Sequence, residues 1–330
     1  MSNKIVLTGI KPTGMPHVGN YIGALKPLID FSQTHKTFMF IADLHALNTI
    51  HDPREIREHT YQAAALMLAL GVNRENTILF RQSDIAEIYQ LNTVLMNITP
   101  KGLMNRAHSY KAAMDKNIAA GLDIDAGVNM GLYTYPILMS ADILLYNADI
   151  VPVGADQKQH VEFARDIAGY FNHIYGDTFK MPEPVIGQTS GIIPGLDGRK
   201  MSKSYDNIIP LLAPEKELKK KVMRIITDSK TPDEVKDPEE STIFHLYKHF
   251  ATDAEIADFA NMFRAGGMGY GTAKTILFDK MNSVLAAPRA EYERLMANTA
   301  EIDEILARGA QQASQVAQQT FARVKKLVLG

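Results

Sequence analysis

The chain has no cysteine in its 330 residues, which excludes disulfide frameworks, thiolate-held zinc and a thiol nucleophile. Long apolar runs are missing too: the longest mostly apolar stretches, 37–42 and 139–145, fall far short of the roughly 20 residues a helix needs to cross a bilayer. There is no excess of charge of one sign. With 35 Lys and Arg against 37 Asp and Glu the formal net charge is -2, so nothing draws the whole molecule to a polyanion, and any contact with nucleic acid must come from local clusters of cations. Low-complexity tracts and repeats at solenoid periods are absent, which favours a catalytic protein over a scaffold. Tryptophan is absent as well, but the lack of so rare a residue excludes nothing. Met1-Ser2-Asn3-Lys4 leads straight into an apolar stretch ending at Gly9, without the basic, long apolar and small-residue parts of an export signal, and the expected location is the cytoplasm.

What is present is a globular composition: 46% hydrophobic and 22% charged residues, with a mean hydropathy of -0.12. The length suggests two domains. Up to about residue 190, short β-rich runs at 5–7, 37–42, 77–80 and 150–153 alternate with helix-period segments at 21–35, 53–70 (with Asp52 as N-cap), 84–97, 135–147 and 156–171. This alternation predicts a parallel α/β sheet. Residues 182–205 break into glycine, proline and charge and read as a loop between lobes. Beyond Pro214 no strand pattern survives; helices are predicted at 215–229, 241–250, 253–263, 270–287 and 289–328, with a charged connector at 230–240.

Three short stretches carry chemistry. Gly9-Ile10-Lys11-Pro12-Thr13-Gly14-Met15-Pro16-His17-Val18-Gly19-Asn20 is a glycine-rich turn that opens a helix at about Asn20. Glycine lets the backbone close on a phosphate, a helix start offers free N–H groups, and His17 and Asn20 add side-chain donors. The spacing fits neither a P-loop nor GxGxxG, and alone the stretch reads equally as a plain strand-to-helix turn. Gly198-Arg199-Lys200-Met201-Ser202-Lys203-Ser204 sets two lysines three apart among small hydroxyls. Such a pair can clamp a polyphosphate, because nucleotidyl transfer rests on positioning and on neutralising charge at phosphate oxygens; alone, it is equally a solvated basic loop. In Val151-Pro152-Val153-Gly154-Ala155-Asp156-Gln157 a strand runs into a turn. Asp156 there is either a helix cap or an acceptor for ribose hydroxyls, with the nucleoside lying against Gly154.

Taken together, and in this order, the three stretches resemble the class I aminoacyl-tRNA synthetases. His17-Val18-Gly19-Asn20 is similar to their HIGH motif, residues 200–204 are the KMSKS motif in full, and Gly154-Ala155-Asp156-Gln157 resembles the GxDQ of the tyrosine and tryptophan subclass. The likeness extends over nearly the whole chain. It implies a Rossmann-like doubly wound parallel sheet in residues 1–205 with a helical insertion around 82–130. Residues 206–330 are then an all-α, anticodon-binding unit whose last helix packs back on the sheet domain. It further implies ATP as substrate, Mg²⁺ held chiefly through the ATP phosphates, a homodimer and a cognate tRNA. His17, Asn20, Lys200 and Lys203 become the catalytic groups. Lys11, Pro12, Thr13, Gly19, Gly154, Ala155, Asp156, Gln157, Ile192, Met201, Ser202 and Ser204 complete the implied ATP site. Three departures from the common pattern are Asn20 as the fourth HIGH residue, Lys11 where many relatives have Gln, and a long 121–131 stretch.

The amino acid is addressed by residues 135–146. Tyr135, Met139 and Asp142 stand at i, i+4 and i+7 and share one face if the segment is helical. That face can grip an aromatic ring and accept from its single donor, an indole N–H or a phenol O–H, so Asp142 alone leaves both open. In the tyrosine enzymes the position of Met139 is typically Gln, and a thioether packed on an indole favours tryptophan. The resemblance adds His45, Gln157 and Leu7 to this pocket, His45 being equally a satisfied core histidine. Lys216, Lys219, Lys220, Lys221 and Arg224, and separately Arg323, Lys325 and Lys326, are either phosphate contacts for tRNA or solvated helix faces.

Overall fold

The computed structural model describes residues 2–154, 157–186 and 192–330. Five strands, β1 (Ser2–Ile10), β2 (His35–Ile41), β3 (Thr77–Arg81), β4 (Ile150–Val153) and β5 (Glu183–Ile186), form one sheet in the order β3-β2-β1-β4-β5. Every pairing is parallel. The interior strand β2 is buried without a break from Thr37 to Ile41, with Thr37, Phe38, Met39 and Ile41 fully enclosed, as expected of a parallel strand covered by helices on both faces. The chain winds outward from β1 to β3, then returns across the sheet to place β4 on the other side of β1. That reversal opens a crevice at the carboxyl ends of β1 and β4, where ligands bind in such sheets.

Sequence periodicity located four of the strands. β5 lies inside the stretch expected to be a loop. It is four residues long, and one of them, Pro184, cannot donate to a ladder; it is accommodated at the sheet edge, where β4 is the strand's one neighbour among the described residues. The helix expected at 53–70 spans Pro53–Ala69, and Asp52 accepts from the Arg54 N–H at 2.8 Å as its cap. The segment expected at 21–35 begins as a π-helical turn, Tyr21–Leu25, before the α-helix Lys26–Thr34. Helices Ala86–Ile98, Lys101–Met104 and His108–Ala119 stand between β3 and the helix Met130–Leu145. This last helix starts five residues earlier than expected: Asn129 caps it by accepting from Leu132 N–H, and Pro136 sits inside it.

Beyond residue 214 the described residues are helical apart from turns, at Glu215–Met223, Thr242–Tyr247, Asp253–Ala265, Tyr270–Ala297 and Thr299–Leu329. The break expected at Pro288 falls instead at Asn298, which leaves the helical region with φ -133° and ψ 70°. Among the described residues no helix is long and apolar enough to cross a membrane.

Two apolar cores lie on the two faces of the sheet. One joins Met39, Ile41, Leu66 and Met67 to Phe244, Phe259 and Leu277 of the C-terminal helices; the other gathers Phe38, Phe80, Tyr146, Phe163 and Phe171. The helix Thr299–Leu329 serves both, with Ile302 and Leu306 in the first and Ala313, Ala317 and Val324 in the second. Between them it passes β3 at Gly309, where a Cβ would stand 1.8 Å from the Leu79 carbonyl oxygen. Hydrogen is the only side chain that fits there. Gly309→Ala is therefore expected to destabilise the protein by about 1–3 kcal/mol through overpacking. Gly271→Ala, whose Cβ would meet nothing within 4 Å in helix Tyr270–Ala297, should leave stability unchanged or raised. Denaturant melts of the two variants check this, and equal midpoints would refute it.

Candidate active site

The crevice is a cavity of about 480 Å³. Thr8, Gly9 and Lys11 reach it from the end of β1, Val153, Gly154 and Gln157 from the end of β4, and Tyr135 and Met139 from helix Met130–Leu145. His45, just beyond β2, closes the wall near Tyr135. Burial pushes the Lys11 ammonium below its ordinary pKa.

The glycine-rich turn after β1 is locked by its own side chains. His17 caps the short helix Val18–Asn20: the Asn20 N–H donates to His17 Nδ1, and the His17 N–H donates to Asn20 Oδ1, each at 3.2 Å. An Nδ1 that accepts leaves the imidazole proton on Nε2. Burial, with the Lys203 ammonium second, holds the His17 pKa below the ordinary imidazole value, so the ring stays neutral. The residue therefore presents one N–H donor.

The lysine-bearing loop packs directly on this turn. The Gly19 N–H points at Met201 Sδ, 3.3 Å away and 182 residues distant in sequence. A Cβ on Gly19 would sit 3.1 Å from the His17 ring and 3.3 Å from Met201 Cβ. Val18 N–H donates to Ile209 O at 2.8 Å, and Leu211 N–H to Pro16 O at 3.2 Å. Met201 is the buried anchor of the loop, while Lys200, Lys203 and Ser204 stay exposed. Ser202 Oγ accepts from the Ser204 N–H at 3.3 Å and starts a single turn, Lys203–Tyr205.

At the other end, Asp142 lies one helical turn deeper than Met139 and is fully enclosed. Its Oδ2 is 3.0 Å from His45 Nε2, and Gln82 Nε2 donates to both carboxylate oxygens at 2.9 Å. Burial raises the Asp142 pKa against the opposing pull of His45 and Gln82. Of the three residues expected on one face, Tyr135 and Met139 line the cavity, and Asp142 supports the wall behind them.

The family described as tRNA synthetases class I (W and Y) matches residues 2–286. The chain belongs to that family. It is 50% identical to the tryptophan–tRNA ligase of Neisseria meningitidis over 99% of this chain and 98% of that one. It is 48% identical to that of Pseudomonas aeruginosa over 98% and 73%. The crystal structure of Campylobacter jejuni tryptophanyl-tRNA synthetase complexed with ADP and tryptophan matches with a TM-score of 0.88 at 39% identity, covering 98% of each chain. A tyrosyl-tRNA synthetase from Archaeoglobus fulgidus, at 20% identity and a TM-score of 0.65, shares the fold.

Other residues named from the sequence of this synthetase are placed as follows. Pro12 is buried and Thr13 exposed in the glycine-rich turn. Leu7 packs in the core of β1 and is not among the residues lining the cavity, and Ile192 is 72% exposed. Ala155 and Asp156 lie outside the described residues. Sequence reasoning missed Gln82 and Asn207. Gln82 follows the carboxyl end of β3, and the rule that ligands gather at such ends was the available signal. Asn207 had no signal beyond its closeness to the lysine motif. It is 2% exposed, accepts from the Ser202 N–H at 2.8 Å, and donates to Asp197 Oδ1 at 2.7 Å and to Lys200 O at 3.0 Å. Asp197 is held below the ordinary carboxylate range, first by Asn207 and then by Arg199. Asn207→Ala should free the loop, raising amide exchange in peptides covering 199–204 by about tenfold or more while β1 and β2 keep their protection. Exchange mass spectrometry at the wild-type rate would show that other contacts hold the loop.

Proposed function

We propose that this synthetase activates L-tryptophan with ATP and transfers it to tRNA(Trp). The reading is carried by one observation: the histidine turn and the two-lysine loop meet at Gly19 and Met201 beside a cavity bounded by Tyr135, Met139 and His45. Met139 in that wall supports tryptophan over tyrosine, as does the run of tryptophan–tRNA ligases among the relatives.

The tryptophan carboxylate attacks the α-phosphorus of ATP, forming the adenylate and releasing pyrophosphate. A ribose hydroxyl of the terminal adenosine of tRNA then attacks the adenylate carbonyl and AMP leaves. No protein nucleophile is needed. His17, through Nε2–H, and Asn20 hold phosphate oxygens, with Lys11, Pro12 and Thr13 forming the turn around them. Lys200 and Lys203 neutralise charge on the departing pyrophosphate as the loop with Met201, Ser202 and Ser204 closes. Gly19 lies against adenine, as does the backbone at Ile192. Gly154, Ala155, Asp156 and Gln157 take the ribose side. Tyr135, Met139, His45 and Gln157 form the tryptophan pocket, with the carboxylate of Asp142 behind its wall and Leu7, named with them from the sequence, packed in the core outside the lining. Mg²⁺ enters on the ATP phosphates: the groups beside them are ammonium and hydroxyl, which suit an ion held by phosphate oxygens and water rather than by a protein cage. Bound there, it withdraws charge from the reacting phosphates.

Residues 1–205 act as the catalytic unit, with the insertion around 82–130, and residues 206–330 read the tRNA anticodon. We place the enzyme in the cytoplasm. A homodimer is supported by exposed apolar side chains on and beside the insertion, Tyr89, Met96, Ile118, Leu122 and Met130. Light scattering should return twice the 36.6 kDa chain mass; the monomer mass would reject it.

Exchange of ATP with labelled pyrophosphate, run with each of the twenty amino acids, should proceed with tryptophan alone. Exchange with tyrosine would overturn the specificity, and none at all the activity. In the same assay Lys203→Ala should lower kcat by about a hundredfold with tryptophan affinity nearly unchanged, and Asp142→Ala should chiefly raise the tryptophan KM.

A further inference from the structure

His160 belongs to none of the motifs, yet it stands between two side chains of the cavity wall. It is the third residue of helix Lys158–Tyr175, three positions after Gln157, and is 5% exposed. Its Nε2 is 2.5 Å from the Tyr135 hydroxyl oxygen and its Nδ1 is 2.8 Å from Gln157 Oε1. The Ser109 hydroxyl donates to the same tyrosine oxygen at 2.9 Å. The rings of Tyr135 and His160 meet edge to face, with centroids 5.1 Å apart at 68°. All four residues line the cavity.

With a neutral imidazole at His160, the hydrogen bonds have one set of protons. An amide oxygen only accepts, so the imidazole proton is on Nδ1 and is donated to Gln157 Oε1. Nε2 of the neutral ring is then an acceptor and receives the Tyr135 proton, while the tyrosine oxygen accepts from Ser109. Each group's orientation depends on its neighbour's, and the chain Ser109–Tyr135–His160–Gln157 runs without a break. With its oxygen occupied by His160, Gln157 turns its NH₂ end elsewhere.

We infer that His160 is a positioning residue, which couples the tryptophan end of the cavity to the nucleotide end by holding the Tyr135 hydroxyl and the Gln157 amide in one mutually consistent arrangement. The inference rests on the reading above, in which Tyr135 touches the amino acid and Gln157 lies where amino acid and ATP meet. A carboxylate must approach the α-phosphorus in line, and a small displacement of either substrate costs rate steeply. His160 touches neither reacting atom; it keeps in register the two side chains that do the holding.

The test separates its two bonds. Because the chain has no tryptophan of its own, added tryptophan is the sole indole fluorophore and its binding is read directly. His160→Gln offers an amide oxygen to Tyr135 but leaves Gln157 Oε1 without its donor. The expected result is tryptophan affinity within about twofold of wild type and a kcat for ATP–pyrophosphate exchange about tenfold lower. His160→Asn places an amide N–H near the Nδ1 position but does not reach Tyr135. Here tryptophan binding should weaken about five- to tenfold while kcat stays within about threefold. Either variant suffices alone, since each is expected to lose one constant and keep the other. Both constants unchanged, or both falling by the same factor, would overturn the role of His160. A wild-type protein that binds no tryptophan would instead overturn the proposed function.

Discussion

The site depends on a short stitch between two segments almost two hundred residues apart. Val18 and Leu211 donate backbone hydrogen bonds to Ile209 and Pro16, and the Gly19 N–H faces Met201 Sδ. Lys200 and Lys203 are long, solvated and exposed, and without that stitch nothing would hold their charges near the histidine turn. Met201 is the residue that converts a hydrophilic loop into an attached one. Its thioether is buried in the same core as Val18, Leu66 and Phe244, so burial of apolar surface positions a pair of exposed ammonium groups. Glycine suits position 19, where a Cβ would press on both the His17 ring and Met201.

The amino-acid end is organised by the opposite kind of chemistry. Asp142 is a carboxylate removed from water, an arrangement that costs several kcal/mol unless hydrogen bonds replace the lost hydration. His45 and Gln82 supply them from the ends of β2 and β3, which ties the helix carrying Tyr135 and Met139 to the sheet. The replacement is incomplete: Gln82 Oε1 and the Tyr146 hydroxyl are buried with no partner among the described residues. Burial, and after it Asp142 and Glu87, push the Tyr146 pKa upward, so the hydroxyl remains a neutral dipole in the aromatic core of Phe38 and Phe80. A polar network of this type fixes one geometry more strictly than apolar packing does, because every misalignment strands a buried donor or acceptor.

Much of this was legible beforehand because its signals are local. A continuous apolar run at 37–42 means a strand covered on both faces, Asp52 before Pro53 means a helix start, and His17, Lys200 and Lys203 are motif residues read at fixed spacing. Where local cues competed with packing, packing prevailed: Pro136 and Pro288 lie inside helices because neighbouring elements bury those helices, and Glu183-Pro184-Val185-Ile186 is a strand because β4 offers it an edge.

Sequence by itself determined the alternation of strands and helices, the parallel sheet, the family, and the residue types facing phosphate and aromatic ring. These follow from periodicity and from the backbone freedom of particular residues, which act over a few positions. Tertiary structure decided which partners those residues meet. That Gln82 and His45 share the carboxylate of Asp142, that Asn207 pins the lysine loop, that Gly309 lets the last helix cross β3, and that His160 bridges Tyr135 to Gln157 are contacts between segments tens to hundreds of positions apart, or between side chains whose rotamers only packing selects. A buried hydrogen bond is directional and short, and no spacing along the chain encodes which distant atom completes it.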